Sequence, residues 1–206
     1  MKLLKNFNYL KYNLLIIFCV LIIISSNLIS CTKELPKTEP LQFSNLKRLI
    51  ISSASFRVKT SFLPLLKDPY IGHSLPDPLL DATRRWAEHR FTVVGNSGSV
   101  LLTILNATAM QENLNKRSGI EGLFYEDQEL KIKMKVEILI EIFNENKKVI
   151  ATIKAESNRE RTLKEGLSIN EKDTHLLDME RRLFIDLDHV ILQEINAKIP
   201  NYFRNL

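Results

Sequence analysis

From Leu130 to Phe143 the chain alternates between apolar and mostly charged residues. Leu130, Ile132, Met134, Val136, Ile138, Ile140 and Ile142 hold one set of positions, and Lys131, Lys133, Lys135, Glu137, Leu139, Glu141 and Phe143 hold the other. A helix cannot separate these sets, because its faces recur about every 3.6 residues; a strand separates them completely, one face dry and one wet. The rest of the chain must therefore supply a partner for a long strand and a cover for its dry face.

Asn144-Glu145-Asn146-Lys147 is a turn candidate, and residues 148 to 158 read as the returning strand, with Val149, Ala151, Ile153 and Ala155 as its small and apolar set. Pairing through this turn puts Phe143 opposite Lys148. Ile138 then meets Ile153 and Val136 meets Ala155 on the dry face, while Glu137 meets Lys154 and Lys135 meets Glu156 on the wet one. Both charged pairs are of opposite sign, the favourable arrangement across strands.

Upstream, residues 47 to 62 read as a first strand of β-branched and small residues, and Pro64, Pro69, Pro76 and Pro78 make the next stretch a loop. Asp77-Pro78 suits a helix start, with Asp77 as the N-cap. That helix is expected to run to about Arg90, with Leu80, Thr83, Trp86 and Ala87 on one side. Gly95-Asn96-Ser97-Gly98 interrupts the chain, and Ser99 to Met110 reads as a strand apolar on both sides. Ser168 and Glu171 suit a capping box, and Leu176, Met179, Leu183, Leu187, Val190 and Ile191 recur at helical spacing to about Lys198. The order is β-α-β-β-β-α. It predicts an α+β two-layer sandwich: a four-stranded, largely antiparallel sheet with two helices on one face, burying Trp86, and an opposite face open to water or a partner.

The N-terminus carries a different message. Lys2, Lys5 and Lys11 precede the apolar run Leu14 to Ile24, and residues 1 to 30 contain no acid. A basic start, a short apolar core and a small residue before a cut make a secretory signal. The lysines stay on the cytoplasmic side while the apolar run enters the bilayer, and the run is shorter than the roughly 20 residues a spanning helix needs. Leu28-Ile29-Ser30-Cys31 resembles the lipobox of bacterial lipoproteins. The resemblance implies cleavage between Ser30 and Cys31, a diacylglyceryl group on the Cys31 sulfur, and acylation (palmitate among the chains) of the new amine. Two or three acyl chains bind a membrane far more firmly than one. The competing reading is an uncleaved signal anchor with a fortuitous cysteine.

The expected organisation is a signal peptide over 1–30, the lipidated Cys31 and a flexible tether over 31–45, and one α+β periplasmic domain over 46–206. The tether is polar and broken by Pro36 and Pro40. By resemblance to enterobacterial sorting, Thr32 in place of Asp after the cysteine favours the outer membrane over the inner. The order of elements and the anchoring also resemble small envelope lipoproteins of Gram-negative bacteria. These include the lipopolysaccharide-assembly lipoprotein that plugs an outer-membrane barrel, and the auxiliary lipoproteins of lipid-transport ABC systems. The stretch Pro78 to Ala109, with Trp86-Ala87-Glu88-His89-Arg90, Gly95 and Leu105-Asn106-Ala107, further resembles uncharacterised proteobacterial lipoproteins.

Cysteine and charge narrow the chemistry. Cys19 lies in the signal, so the mature chain has no disulfide and no Cys-based metal site. Without the three signal lysines the 29 basic residues fall to 26 against 24 acidic ones, a net charge of +2 in place of +5. The high isoelectric point is then partly a property of the signal, and no nucleic-acid partner is expected. Gly95-Asn96-Ser97-Gly98-Ser99 departs from a nucleophile elbow at Ser99 and lies between helix and strand in the wrong order, which favours a flexible loop. His175 with Asp178, and Asp186-Leu187-Asp188-His189, put carboxylates and imidazoles on the last helix, but zinc needs ligands converging from several elements. Ion pairs such as Asp178 with Arg182 are the expected use. His73 and His89 have no evident partners. No P-loop, dinucleotide glycine pattern or His-Glu-x-x-His is present, and no cofactor or metal is expected.

Lys131, Lys133 and Lys135 stand about 7 Å apart along one strand face, a spacing that could meet lipid phosphates or a protein partner. The favoured reading is a solvated open face whose charges block aggregation. Leu139, Phe143 and Ile150 share it. The leading expectation is a non-enzymatic envelope lipoprotein, held to the membrane by lipid on Cys31. It would serve an envelope protein complex for assembly or lipid transport and possess no catalytic residues. The alternatives are a membrane-tethered hydrolase with an atypical site and a structural lipoprotein that binds the cell wall.

Overall fold

The computed structural model describes residues 39–114, 128–164 and 166–205, without the side chains of 128, 129, 204 and 205. The signal, Ser30, Cys31 and most of the tether lie outside the described residues. Thr38–Leu206 form one compact unit.

The elements are β1 (Leu49–Ile51), β2 (Ser55–Thr60), α1 (Leu79–Arg90), β3 (Phe91–Val93), β4 (Ser99–Asn113), β5 (Gln128–Phe143), β6 (Val149–Lys164), α2 (Ile169–Lys198) and β7 (Phe203–Asn205). The main sheet has the order β2-β4-β5-β6. β5 runs antiparallel to both neighbours and β2 runs parallel to β4, so the α+β class and the largely antiparallel four-stranded sheet are as the sequence predicts. Both helices pack on this sheet, α2 mainly over β6 and α1 over β4.

The predicted first strand is two strands in two sheets. At Ser52-Ser53-Ala54 the chain bends, with the Ser53 N–H donating to Ile51 O at 2.9 Å. β1 joins β3 and β7 in a small second sheet, which the sequence pattern does not announce. The bend is packed against the Gly95 loop: a Cβ on Gly95 would stand 2.9 Å from the Ser53 nitrogen. Only glycine allows that approach, so the segment read as a flexible loop is the seam between the two sheets.

β4 reads as apolar on both sides because its alternation changes phase. Its register on β5 shifts between Ile104 and Asn106. Val100, Leu102 and Ile104 are buried before the bulge, and Ala107 and Ala109 after it. One extra residue flips every later side chain to the other face, and the bulge at Leu105 restores the dry face for the second half of the strand.

The β5–β6 hairpin also departs from its predicted register, by two residues. Ile138 pairs with Ala155, Ile140 with Ile153 and Glu137 with Glu156. Lys147 adopts φ 58°, and Asn144 exchanges backbone bonds with Lys147 and Lys148 at 3.0 Å, so the turn takes one more residue than expected. A second irregularity between Ile142 and Phe143 takes another. The two slips together are even, which keeps the side chains from Ala151 onward on their predicted face, while Val149, between the slips, pairs with Phe143 and is exposed instead of dry.

Helix α2 begins as predicted. The Ser168 side chain accepts from the Glu171 N–H at 3.3 Å, and the Glu171 carboxylate accepts from the Ser168 N–H at 2.8 Å. Helix α1 does not: Pro78 is its N-cap residue and makes no side-chain cap bond, while Asp77 turns elsewhere. Trp86, fully buried, stacks on Phe184 at 6.2 Å and meets Phe91 edge-on at 6.0 Å. Phe43 completes the cluster edge-on against Phe184 at 5.1 Å, so Leu41 and Phe43, which fall inside the expected tether of 31–45, are part of the core.

Candidate functional site

The outer face of the main sheet carries no helix among the described residues. Lys131, Lys133 and Lys135 project from it in line, as the alternation of β5 requires. Each ammonium is engaged: Lys131 with Glu160 at 3.0 Å, Lys133 with Glu112 at 2.7 Å, and Lys135 with Glu156 at 2.9 Å and Glu137 at 3.5 Å. Lys154 closes on Glu137 at 2.7 Å. The face is therefore a ladder of alternating charges drawn from β4, β5 and β6. Its electrostatics arise from these contacts. The Lys154 ammonium, outweighing burial, holds the Glu137 carboxyl below its ordinary value, and Asn158 and Lys135 do the same for Glu156. The Lys133 ammonium holds Glu112 down, and Glu156 holds Lys135 up.

A shallow groove of about 420 Å³ crosses this face, lined by Thr108, Met110, Lys133, Lys135, Asn158 and Glu160 among others. A phosphate or carboxylate entering it would have to displace a glutamate from each lysine it used. Leu139 stands beside Lys154 across the strands, and Ile150 is half exposed at the hairpin end.

The carboxylates of the last helix that suggest metal or acid–base chemistry are engaged by arginines. Asp178 takes Arg182 at 3.1 Å and Arg161 at 3.3 Å, Asp186 takes Arg159 at 2.6 Å, and Asp188 takes Arg90. The predicted Asp178–Arg182 pair is among them. His89 approaches the Leu46 carbonyl at 3.4 Å. Among the described residues no histidine side chain hydrogen-bonds a Ser, Asp or Glu, and no group of three or more His, Cys, Asp or Glu side chains is placed to hold a metal.

Two buried polar clusters were not foreseen. Asp77, 1% exposed, accepts the Leu41 N–H at 2.9 Å and the Arg85 guanidinium, clasping the end of the expected tether to the helical layer. Glu180 lies nearby with no exposure, and neither carboxylate oxygen has a hydrogen-bond partner among the described residues. Burial first, then the Asp77 charge, push its pKa up to about 9 against the pull of Arg85, so the group is a neutral acid at physiological pH. Arg90 and Asp188 form the second cluster, with a second bond from Nη2 at 3.1 Å. The sequence does carry a signal for these acids: Leu176, Glu180, Phe184 and Asp188 fall at four-residue spacing on one buried stripe of α2.

No protein-family model matches the chain, and no curated protein matches it. Among solved structures, rare lipoprotein B from Shewanella oneidensis is similar with a TM-score of 0.38 and 12% identity, over 69% of this chain and 95% of its own. A minor lipoprotein from Acinetobacter baumannii is similar with a TM-score of 0.38 and 13% identity, over 76% of this chain and 98% of its own. Both are partial likenesses to lipoproteins. No described helix is long and apolar enough to cross a membrane.

Proposed function

We propose that the chain is an envelope lipoprotein, exported, cut between Ser30 and Cys31, and held to the outer membrane by lipid on Cys31, with its domain in the periplasm. Its role is that of a non-enzymatic accessory or scaffold in an envelope assembly or lipid-transport complex. The observation that carries the reading is Leu28-Ile29-Ser30-Cys31 placed directly after a basic start and a short apolar run. Three features of the domain support the accessory role. The outer face of the main sheet carries no helix among the described residues, the end of the expected tether is built into the core through Leu41 and Phe43, and Asp178, Asp186 and Asp188 are held in ion pairs with arginines.

The test is replacement of the sulfur. Cys31→Ser is expected to lose palmitate labelling, to run as the larger uncleaved precursor, and to change its distribution between membrane and soluble fractions. Unchanged size and fractionation, with no label in either form, would sink the anchor. Crosslinking in cells tests the accessory role: capture of envelope transport or assembly proteins is expected, and recovery of no envelope protein would refute it.

A further inference from the structure

Between Ser61 and Pro69 the chain runs along the edge of β4 that β2 leaves free. The Ser61 N–H donates to Ile104 O at 3.0 Å and the Gln111 N–H donates to Pro69 O at 2.8 Å. Those bonds pin the segment beside a length of strand of about 23 Å at ordinary strand rise, which its residues must cover nearly extended. The chain then reverses, with Tyr70 bridged to Met110 and the Ile71 N–H on Ala109 O at 2.8 Å. Within the segment Phe62 packs against the core, while the leucines that follow it do not. Leu63 is 83%, Leu65 45% and Leu66 71% exposed. Among the described residues the other exposed large apolar side chains are Val94, Ile169 and Ile185, each alone, and the pair Val149–Ile150 at the hairpin end; three within four positions call for an explanation.

The charges around this ridge differ from those of the ladder. Lys131, Lys133, Lys135 and Lys154 all meet glutamates. Arg57 and Lys59, on the strand that feeds the ridge, and Lys67 at its far end are exposed and make no ion pair among the described residues. Asp68 is the acid next to Lys67 in sequence, and Glu112, which follows the Gln111 that bonds Pro69, is taken by Lys133. An apolar ridge flanked by unpaired cations is complementary to an anionic lipid surface, where leucines enter the headgroup boundary and cations stay among the phosphates.

We propose that Leu63, Leu65 and Leu66 insert into the interface of an anionic bilayer, with Arg57, Lys59 and Lys67 on the headgroups, as a second membrane contact. The proposal rests on the lipid-anchor reading, because a ridge this small binds a bilayer only when an anchor keeps it at high local concentration.

The test uses the mature, lipidated full chain in vesicles of phosphatidylcholine with phosphatidylglycerol. An environment-sensitive fluorophore is placed at Leu66→Cys or, as a reference, at Asn146→Cys in the exposed β5–β6 turn. The expected result is a blue shift and quenching by nitroxide lipids at position 66 but not at 146. The effect should weaken in phosphatidylcholine alone and in a Lys59→Glu, Lys67→Glu background. Flotation reads the anchor separately. A protein that floats while position 66 stays as wet as 146 overturns the ridge and spares the anchor; a protein that does not float removes both. Shielding of position 66 in native membranes but not in lipid vesicles would assign the ridge to a protein partner and overturn the proposal. Equal quenching without phosphatidylglycerol would overturn the role given to the cations.

Discussion

Glu137 and Glu156 stand directly opposite one another on neighbouring strands, and Lys135 binds both, at 3.5 and 2.9 Å. Like charges in that position repel. The sheet accommodates them because Lys154 takes the other side of Glu137 at 2.7 Å, so each carboxylate has a cation on a diagonal.

Removing the shared cation should therefore expose the repulsion. Lys135→Ala is expected to destabilise the domain by about 1 kcal/mol, and Lys135→Ala with Glu156→Gln should recover most of that loss. Urea midpoints of the three proteins check the coupling. A double variant no better than the single one would mean that the two glutamates do not sense each other.

The same ladder sets the acid behaviour. Glu137 and Glu156 titrate below the ordinary value of 4.5 in the folded chain. Their contribution is present above that value and is lost as pH falls through the folded values. Glu137→Gln should show a shallower loss of stability on acidification below 4.5, measured as melting temperature against pH.

The ladder also shows what the sequence discloses and what it withholds. Alternation places Lys131 to Phe143 on the right face, because a face depends only on parity. Register depends on the turn, and neither Lys147 in a left-handed conformation nor the bulge after it has a signature in Asn144-Glu145-Asn146-Lys147. The predicted partners Lys135–Glu156 and Glu137–Lys154 still meet, since long side chains reach diagonal neighbours. The split of residues 47 to 62 between two sheets was not legible, because it is fixed by Gly95 packing on Ser53 from far along the chain. Asp77 misleads for a related reason: its place before Pro78 suits a cap, but the buried Leu41 amide and Arg85 offer its carboxylate stronger partners. Cys31 and most of the tether lie outside the described residues, so the anchor rests on the sequence alone.

Glu180 should give the pH profile a second, opposite slope. Its folded value is raised to about 9 from 4.5. Between those values the native state keeps a proton that the unfolded chain has released, so stability is fully present at the low end and declines as pH rises through the window. Glu180→Gln should flatten the profile there and, near pH ~8, exceed the parent by a few kcal/mol, roughly. A parent profile already flat over this range would contradict the burial of an uncharged acid.

Asp77 couples this acid to the segment around Leu41. Asp77→Ala removes the acceptor of the Leu41 N–H and should cost about 1 to 3 kcal/mol. Hydrogen exchange at Leu41 should speed up well before that of the β5 amides. It should also lower the pKa of Glu180, because the Asp77 charge is one of the causes that raise it. The window of declining stability would then narrow from its alkaline end.

Arg90 ends α1 and Asp188 lies on α2, so their ion pair ties the two helices together from positions 98 apart in sequence. Arg90 is 3% exposed and Asp188 13% as side chains. Deleting one partner strands a buried charge, and Asp188→Ala is expected to cost about 3 to 5 kcal/mol. The pair itself need not stabilise the fold that much, because taking both charges out of water offsets most of their attraction. Arg90→Met with Asp188→Leu, which fills the space with apolar volume, should therefore stand close to the parent in stability. The single tryptophan, buried Trp86, reports all three unfolding curves by fluorescence. A double variant as unstable as Asp188→Ala would show that the attraction, and not the avoidance of a lone charge, holds α1 against α2.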